Sequence, residues 1–244
     1  MTARRDRAND MSDTAEIQQS QEEGRRRLRP SLTDPSWLVL SKRREIFTQW
    51  LGRFDHSNAI VLDVGGRIQP YRSLINDRLS RYIAVDLRLT PLVDIVGNAA
   101  QLPFRSDCFD LVFCTQMLEY APDPRQAIAE VHRVLKPGGF LLLSVPAVHP
   151  QDSERDAWRF LPAALRELLK EFSEVDLAPE GSSVTGLIRT INVCLVSFTT
   201  AVALQSLLRF TVVPMLNLLG ALSEMLKLTA NTSFTANFSV LARK

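Results

Sequence analysis

A short apolar run that ends in an acidic residue and two glycines constrains the fold of this chain most. The run Ile60-Val61-Leu62-Asp63-Val64 is followed directly by Gly65 and Gly66. β-Branched and aliphatic residues in so short a run are typical of a strand that is buried on both faces. Glycines after such a strand let the backbone turn sharply and pass close to a ligand. Because open parallel sheets bind ligands beyond the carboxyl ends of their strands, the stretch predicts one wall of a binding crevice.

The glycine series itself is incomplete, because Arg67 and Gln69 stand where further glycines of a nucleotide-binding turn are expected. Asp86, at the end of the next predicted strand, strengthens the interpretation. It lies about 20 residues beyond the glycines, the spacing at which a strand-end carboxylate accepts hydrogen bonds from ribose hydroxyls. The alternative role for Asp86 is a helix N-cap.

Strands and helices alternate along the rest of the chain to residue 146. Asp123 and Pro124 predict the start of a helix that runs to about Leu135. Further strands are predicted by the apolar runs 81–87, 108–116 and 140–146, and the segment 93–104 predicts another strand with a polar turn. Further helices are predicted over 37–51 and 71–79. This alternation implies right-handed βαβ units and a parallel sheet.

The bulk properties of the chain limit the classes of protein. A length of 244 residues allows one large α/β domain, or a domain with an appendage. A net charge of +2 gives no reason to expect nucleic acid as a partner. The three cysteines lack metal-ligand spacing, so no metal is expected and reduced thiols of a cytoplasmic protein are favoured. Residues 1–30 are polar and predict a disordered tail, which leaves 31–244 as the folded domain.

Five segments together carry a family resemblance. In chain order they are VLDVGG, YIAVDL, GNAAQLPF, CFDLVFCTQMLEY and EVHRVLKPGGFLLLSVP. In order and spacing the chain resembles class I S-adenosylmethionine-dependent methyltransferases of the type 11 group. It is similar in particular to members found among bacterial polysaccharide and cell-envelope genes. The resemblance implies an α/β, Rossmann-like fold with a mostly parallel seven-stranded sheet and an antiparallel last strand.

The resemblance also implies S-adenosyl-L-methionine as the cofactor and gives roles to residues near the reacting sulfur. Asp63, Gly65 and Gly66 would line the methionine part of the cofactor. Thr115 and Gln116 would lie beneath the sulfonium and offer backbone and side-chain oxygens.

Other residues would hold the nucleoside by the same resemblance. Asp86 would bind the ribose, Leu87 would pack on the adenine, and Asn98 and Ala99 would meet the adenine edge. Arg67 departs from the family pattern. It would either crowd the cofactor, in a protein that has lost binding, or pair with the cofactor's carboxylate through the bidentate geometry that arginine favours. We expect the second.

Methyl transfer is an in-line displacement, so a protein supplies alignment and, for a hydroxyl acceptor, removal of a proton. Candidate bases follow the predicted strands. His149 is ranked first, because imidazole titrates near neutral pH, and Tyr120 comes next. Glu119, Asp152 and Asp156 are further candidates, each with a capping or packing role as the alternative.

A long apolar passage from Leu187 to about Leu228 approaches the length of a membrane span. Pro214 is predicted to break it into two helices. The final run, 234–243, is predicted to be an antiparallel strand that returns to the sheet beside 174–177. A single membrane crossing would leave that strand on the far side. The passage is therefore predicted to be an apolar helical hairpin inserted over 184–230.

Three roles remain open for this hairpin, which are packing on the domain, lining an acceptor pocket, and peripheral contact with a membrane through 187–228. We expect a cytoplasmic enzyme, in the last case at the inner face of the membrane. Its expected activity is O-methylation of a saccharide or a lipid-linked envelope precursor. The alternatives are methylation of a small apolar metabolite, and a catalytically silent binding or scaffold protein.

Overall fold

The computed structural model describes residues 2–75, 79–151, 153–228 and 231–244, so Asp152 lies outside the described residues. Seven strands form one sheet. They are β1 Ile60–Val64, β2 Arg81–Asp86, β3 Ile95–Val96, β4 Phe109–Thr115, β5 Leu135–Pro146, β6 Glu174–Pro179 and β7 Asn237–Arg243. The α-helices are α1 Thr2–Leu28, α2 Trp37–Leu51, α3 Pro124–Val134, α4 Pro162–Leu168, α5 Ser183–Ser197 and α6 Val202–Met225. Short 3₁₀ helices occupy Arg72–Leu74 and Leu118–Tyr120.

The strand order is β3-β2-β1-β4-β5-β7-β6. The first five strands in this order are parallel, whereas β7 runs antiparallel to both β5 and β6. This arrangement confirms the predicted fold. The chain leaves β1 for β2 on one side and later places β4 on the other, so the crevice between their carboxyl ends is the expected place for a ligand.

The central strands are buried on both faces, as their unbroken apolar sequences predict. Val61 of β1 packs on the α2 side of the sheet, in a cluster with Phe47, whereas Leu62 packs on the opposite side with Val131 of α3. Val61 and Leu62 are completely buried. Alternate residues of one strand therefore serve the two halves of the core, which fixes the register of the strand and the position of the turn that follows it.

The N-terminal segment differs from its prediction. Residues 2–28 form the helix α1 where the polar composition predicts a disordered tail, so that prediction is wrong for the described residues. Leu28 is buried in the α2-side cluster, and Gly24 lies so close to Ile68 that a Cβ atom there would stand 2.3 Å from the Ile68 carbonyl oxygen. Glu23 and Arg27, one helical turn apart, are joined at 3.3 Å and support the helix.

The predicted helical hairpin is present as α5 and α6. It is inserted between β6 and β7, which pair with each other, so both ends of the hairpin return to one place on the sheet. The prediction that Pro214 separates the two helices is wrong, since Pro214 lies inside α6. Val213 and Asn217 beside it are fully buried, and this packing holds the helix across the proline. The two helices are separated at residues 198–201 instead. There the Thr199 hydroxyl accepts a hydrogen bond from the backbone N–H of Ala201 at 3.1 Å.

The segment after the glycine turn is also less helical than predicted. A single 3₁₀ turn replaces the predicted helix over 71–79, whose residues 76–78 lie outside the described part of the chain. Gln69 adopts a left-handed backbone with φ of +45°, as a glycine would at that position. Tyr71 is buried against Phe47, with ring centroids 4.8 Å apart, and this contact fixes the turn.

Candidate active site

A cavity of about 600 Å³ lies at the carboxyl edge of the sheet. Its floor, which we call the strand-end wall, is formed by residues that follow β1 to β4. Its cover, which we call the roof, is formed by α2, α5 and the loop 149–159. All but two of the predicted site residues line it, namely Gly65, Arg67, Asp86, Leu87, Asn98, Ala99, Thr115, Gln116, Tyr120 and His149.

The glycine turn explains the first part of the wall. Gly65 has φ of +82°, and a Cβ atom on it would stand 2.7 Å from the Cγ of Met117. Its N–H donates to the Val85 carbonyl at 2.8 Å, which ties the turn to the end of β2. Gly66 does not line the cavity as predicted. A Cβ atom there would meet Ala84 at 2.9 Å, so this glycine is needed for packing behind the wall.

Asp63 likewise lies behind the wall and not on the cavity surface, contrary to its predicted contact with the cofactor. Its Oδ2 accepts a hydrogen bond from the Tyr82 hydroxyl at 2.6 Å. Burial raises the pKa of Asp63 to about 6, although the Tyr82 bond opposes the shift. Asp63 therefore contributes to the site by holding β1 against β2.

Asp86 and Leu87 present complementary surfaces on the wall. The Oδ1 of Asp86 accepts from the backbone N–H of Arg88 at 2.9 Å. Within the described residues its Oδ2 takes no hydrogen bond, so this oxygen is left for a ligand. Leu87 is 61% exposed beside it, and a large apolar side chain on a cavity wall suits the flat face of a ligand. Both positions fit the ribose and adenine contacts that the resemblance implies.

Asn98 and Ala99 form the next part of the wall. The Asn98 Oδ1 accepts from the Ala100 N–H at 3.0 Å, which closes a turn of the chain onto itself. An amide oxygen has two lone pairs, so the predicted contact with an exocyclic amine would share this oxygen with Ala100. The backbone of Ala99 lies between them and lines the cavity.

Gln116 ends the wall in a strained conformation. Its φ of +51° is unusual for a residue with a side chain, and strain of this kind concentrates at functional sites. Its N–H donates to the Ser144 carbonyl at 2.9 Å. Its side-chain amide lies between the Ser144 hydroxyl, at 3.1 Å, and the Asn237 amide, at 3.0 Å. Thr115 lines the cavity before it.

The candidate bases lie at the roof end of the cavity. The Nδ1 of His149 is hydrogen-bonded to the carbonyl of Pro150. A carbonyl only accepts, so Nδ1 carries the proton, and in the neutral ring Nε2 then has the lone pair that a base needs. Tyr120 and the buried Glu119 also line the cavity. Asp156 is a weaker candidate, because Arg159 holds both of its carboxylate oxygens, at 2.5 and 2.7 Å.

Sequence reasoning missed a buried ion pair in the roof. Arg43 of α2 lines the cavity and is 3% exposed. Its Nη2 lies 2.8 Å from Oε2 of Glu180, which directly follows β6. The hydroxyls of Ser144 and Ser239 both donate to Glu180 Oε1 at 2.7 Å. Although burial opposes the charged form, attraction to Glu180 raises the pKa of Arg43.

A second arginine in the roof was also missed. Arg189 of α5 lines the cavity and is 6% exposed. Its Nε and Nη1 atoms are buried and have no hydrogen-bond partner among the described residues. Burial, followed by repulsion from Arg43, lowers the pKa of Arg189 to about 10. The polar pattern of one helix face, with Thr185, Arg189 and Asn192, was the available signal.

The central segment of the chain matches a known protein family. Residues 62–143 match the family model Methyltransf_11, described as a methyltransferase domain. Malonyl-acyl-carrier-protein O-methyltransferase 1 of Coxiella burnetii is 34% identical over 91 residues, which cover 34% of this chain and 32% of that protein. The chloroplastic 2-methyl-6-phytyl-1,4-hydroquinone methyltransferase of Spinacia oleracea is 34% identical over 110 residues, covering 39% and 32%. The matches thus span about a third of the length of these curated relatives.

Solved structures share the fold over most of the chain. The cyclase SpnF superposes with a TM-score of 0.53 at 18% identity and covers 82% of this chain and 80% of its own. Phosphoethanolamine N-methyltransferase 2 of Haemonchus contortus, solved with phosphomonomethylethanolamine and S-adenosylhomocysteine, gives 0.52 at 16% identity, covering 90% and 60%. These likenesses concern the fold. They confirm the predicted Rossmann-like architecture, which proteins of different activity share.

Proposed function

We propose that this chain, whose residues 62–143 form a methyltransferase domain, transfers the methyl group of S-adenosylmethionine to an acceptor with an apolar tail. The observation that carries the proposal is the strand-end wall. Gly65, Asp86, Asn98 and Thr115 lie at or just after the ends of four separate strands and meet on one cavity, in the order that the family resemblance implies for a cofactor site. S-adenosylmethionine supplies an electrophilic methyl group when it is bound.

The residues of the wall fit that cofactor. The Oδ2 of Asp86, which accepts no hydrogen bond from the described residues, suits ribose hydroxyls. The exposed face of Leu87 suits adenine, and Gly65 lets the backbone approach closely. The roof covers the opposite side, where His149 Nε2 would take the proton of a hydroxyl acceptor. Alignment between wall and roof is the main catalytic contribution expected of the protein.

The hairpin supports an acceptor that is delivered from a lipid surface. From residue 193 to residue 212, a stretch that we call the hairpin tip, no side chain is buried, and Arg209 is its single charged residue. Phe198 and Phe210 are 86% and 68% exposed. Apolar patches of this size mark interaction sites on soluble proteins. By length and composition α6 could cross a membrane, yet it is mostly unburied in this fold.

Topology determines how such a tip would meet a bilayer. Both ends of the hairpin return to β6 and β7, so the tip must enter and leave from the same side. The exposed first half of α6 is about 16 Å long at 1.5 Å per residue, which is enough to reach below the headgroups. We therefore propose a peripheral protein at the cytoplasmic face of the membrane, with the tip in the lipid interface.

The proposed acceptor is amphipathic, with its tail along the hairpin and its reactive head in the cavity. A lipid-linked envelope precursor or a lipid-linked saccharide, methylated on a hydroxyl group, belongs to this class. The spinach relative is named for a hydroquinone with a phytyl tail, which favours a second candidate, a small quinone-like metabolite. Both candidates combine a polar head with a long apolar chain.

Two assays test the activity. Calorimetric titration with S-adenosylmethionine and S-adenosylhomocysteine is expected to give saturable binding. A labelled-methyl assay on lipid and saccharide extracts of the source cells, followed by mass spectrometry, is expected to label an amphipathic product. Absence of binding heat at high ligand concentration would support the alternative of a catalytically silent scaffold.

Vesicle sedimentation tests the hairpin tip. The double variant Phe198→Glu/Phe210→Glu is compared with Leu226→Glu, which places one charge at the exposed base of α6. Burying each phenylalanine is worth about 1.5 to 3 kcal/mol, so the double variant should lose at least about tenfold in partitioning to vesicles of phosphatidylglycerol and phosphatidylethanolamine. Equal partitioning of the double variant and the control would contradict the proposal.

A further inference from the structure

The guanidinium of Arg189 is the feature of the cavity that the proposed chemistry leaves unused. Neither the strand-end wall nor the candidate bases require a cation on α5. Nevertheless Arg189 lies in the cavity lining, and Nε and Nη1 have no partner in the described part of the chain. Buried charges in proteins are nearly always paired, because desolvation without a partner is costly.

Among the described residues no acidic group forms a hydrogen bond or ion pair with Arg189, although Glu180 and Asp34 attract its charge. Glu180 is held by Arg43 and by two serine hydroxyls. The Oδ1 of Asp34 accepts from the N–H of Ser36 at 2.7 Å. Arg43 and Arg159 add positive charge on the other sides, and both oppose the protonated form of Arg189. The surroundings of Arg189 therefore favour an anion that the protein itself does not provide.

The position of Arg189 is fixed by the base of the hairpin. One turn further along α5, the Nδ2 of Asn192 donates to the Oδ1 of Asn217 on α6 at 3.0 Å. The Nδ2 of Asn217 donates in turn to the carbonyls of Leu32 and Asp34, at 2.8 and 3.0 Å. These buried bonds lock α5 against the segment before α2. The helix backbone that carries Arg189 is thus held in place before any ligand arrives, which lowers the entropy cost of binding.

We infer that Arg189 binds an anionic group, a carboxylate or a phosphate, carried by the acceptor. A guanidinium matches both groups with two parallel hydrogen bonds. The acceptor, and not the cofactor, is the expected source, because Arg189 belongs to the roof, whereas the nucleoside positions follow β2 and β3 on the wall. This inference rests on the proposed function for the identity of the bound molecule, but the anion site can be tested without catalysis.

The test uses three probes with one tail and different heads, namely octyl phosphate, octanoate and octanol. Each is titrated below its aggregation concentration into the full-length protein, both ligand-free and loaded with S-adenosylhomocysteine. The variants are Arg189→Met, Arg189→Lys and Arg155→Met. Arg155 is the matched control, since it lines the same cavity but is exposed.

The wild type should bind at least one of the two anionic probes more tightly than octanol. Arg189→Met should weaken that binding on the order of tenfold to a hundredfold, which corresponds to hydrogen bonds to a charged group. Arg189→Lys should retain part of it, and Arg155→Met should change it less than about threefold. Octanol binding should be the same in all variants, as should the affinity for S-adenosylhomocysteine.

A thermal-unfolding measurement separates this role from a structural one. Without ligand, Arg189→Met should be as stable as the wild type or more stable, because it removes an unpaired buried charge. A lower melting temperature would show that Arg189 supports the fold. Weaker S-adenosylhomocysteine binding by Arg189→Met, with unchanged binding of both octyl phosphate and octanoate, would assign Arg189 to the cofactor's carboxylate and overturn the inference. Failure of the ligand-free wild type to prefer an anion would overturn it too. If the wild type prefers an anion but does not bind S-adenosylhomocysteine, the result counts against the proposed function and not against the anion site.

Discussion

The strand-end wall and the roof of the cavity are built in different ways. Where the wall follows β2 and β3, polar side chains close hydrogen bonds with their own neighbours, as Asp86 does with Arg88 and Asn98 with Ala100. Gln116 at the end of β4 is the exception, since its side chain is bonded to Asn237. In the roof, Arg43 pairs with Glu180, 137 residues away. The part of the wall at β2 and β3 is thus formed as each strand ends, whereas the roof exists only when α2, α5 and β6 have assembled.

The difference extends to how charge is treated. Glu180 and two serines satisfy Arg43, while Arg189, in the same roof, has unpaired donors among the described residues. One buried arginine stabilises the fold and the other is held ready for a ligand. Variants that affect one role and not the other distinguish the two regions.

The largest expected effect is on stability and comes from Glu180→Gln. The change keeps the size of the side chain but leaves Arg43 as a buried, unpaired cation, which should lower the free energy of unfolding by about 3 to 5 kcal/mol. Urea denaturation measures it. The control Asp176→Asn breaks the exposed pair with Arg53 and should cost less than about 1 kcal/mol. Equal losses would remove the distinction between this ion pair and a surface one.

Asp63, which lies behind the wall, should make the stability of the folded protein depend on pH. Its pKa is raised from 3.8 to about 6 by burial, so between these values the folded state binds a proton that the unfolded state has lost. The stabilisation from the protonated form is complete below pH 3.8 and is lost as the pH rises to 6. The loss is about 3 kcal/mol at most, at 1.36 kcal/mol per unit.

Urea denaturation at pH 4.5, 6 and 7.5 checks this dependence by comparison with Asp63→Asn. The asparagine can still accept from the Tyr82 hydroxyl but does not ionise. It should therefore gain stability relative to the wild type as the pH rises. A constant difference between the two proteins across this range would show that Asp63 is not the titrating group.

Asp86→Ala tests the wall as a cofactor site. Removal of hydrogen bonds to a carboxylate should weaken S-adenosylhomocysteine binding about tenfold to a hundredfold, as measured by calorimetry, with little change in unfolding. The control Asp176→Ala removes an exposed carboxylate remote from the cavity and should bind as the wild type does. If both variants bind alike, the ribose assignment is wrong.

Arg67→Ala should have the smallest effect. Arg67 lies 3.8 Å from Glu23 of α1, in a pair that is partly exposed and therefore weak. We predict that Arg67 exchanges this partner for the carboxylate of the cofactor, so the alanine variant should bind S-adenosylmethionine about fivefold more weakly. Glu23→Gln, which removes the competing carboxylate, should bind it more tightly. Unchanged or tighter binding of S-adenosylmethionine by Arg67→Ala would contradict the predicted pairing of Arg67 with the carboxylate of the cofactor.

The contrast between wall and roof also explains what the sequence could predict. The wall was predictable because its residues are neighbours in the sequence of the strands that position them. Asp86 ends one buried strand, and the two glycines directly follow another. The Arg43–Glu180 pair was not predictable, since nothing links two charged residues so distant in the chain before the fold is known. Gly66 and Asp63 match the motif, yet they serve packing, which a motif does not separate from ligand contact.

Two of the wrong predictions outside the site, for the N-terminal segment and for Pro214, have related causes. Residues 1–30 are polar enough to suggest disorder, but pairs such as Glu23 with Arg27 support α1, and packing of Leu28 anchors its end. Pro214 is a reliable helix breaker only where nothing else holds the helix. Burial of its neighbours in α6 outweighs its missing N–H. In both cases tertiary contacts decided against the local preference.

A crystal structure of the complex with S-adenosylhomocysteine tests the central claim most directly, namely that the wall binds the cofactor and the roof is left for the acceptor. We predict ribose hydroxyls on the carboxylate of Asp86, adenine against Leu87, and no atom of the ligand within hydrogen-bond distance of Arg189. A ligand whose methionyl carboxylate lies on Arg189, or whose ribose lies away from Asp86, would contradict the account.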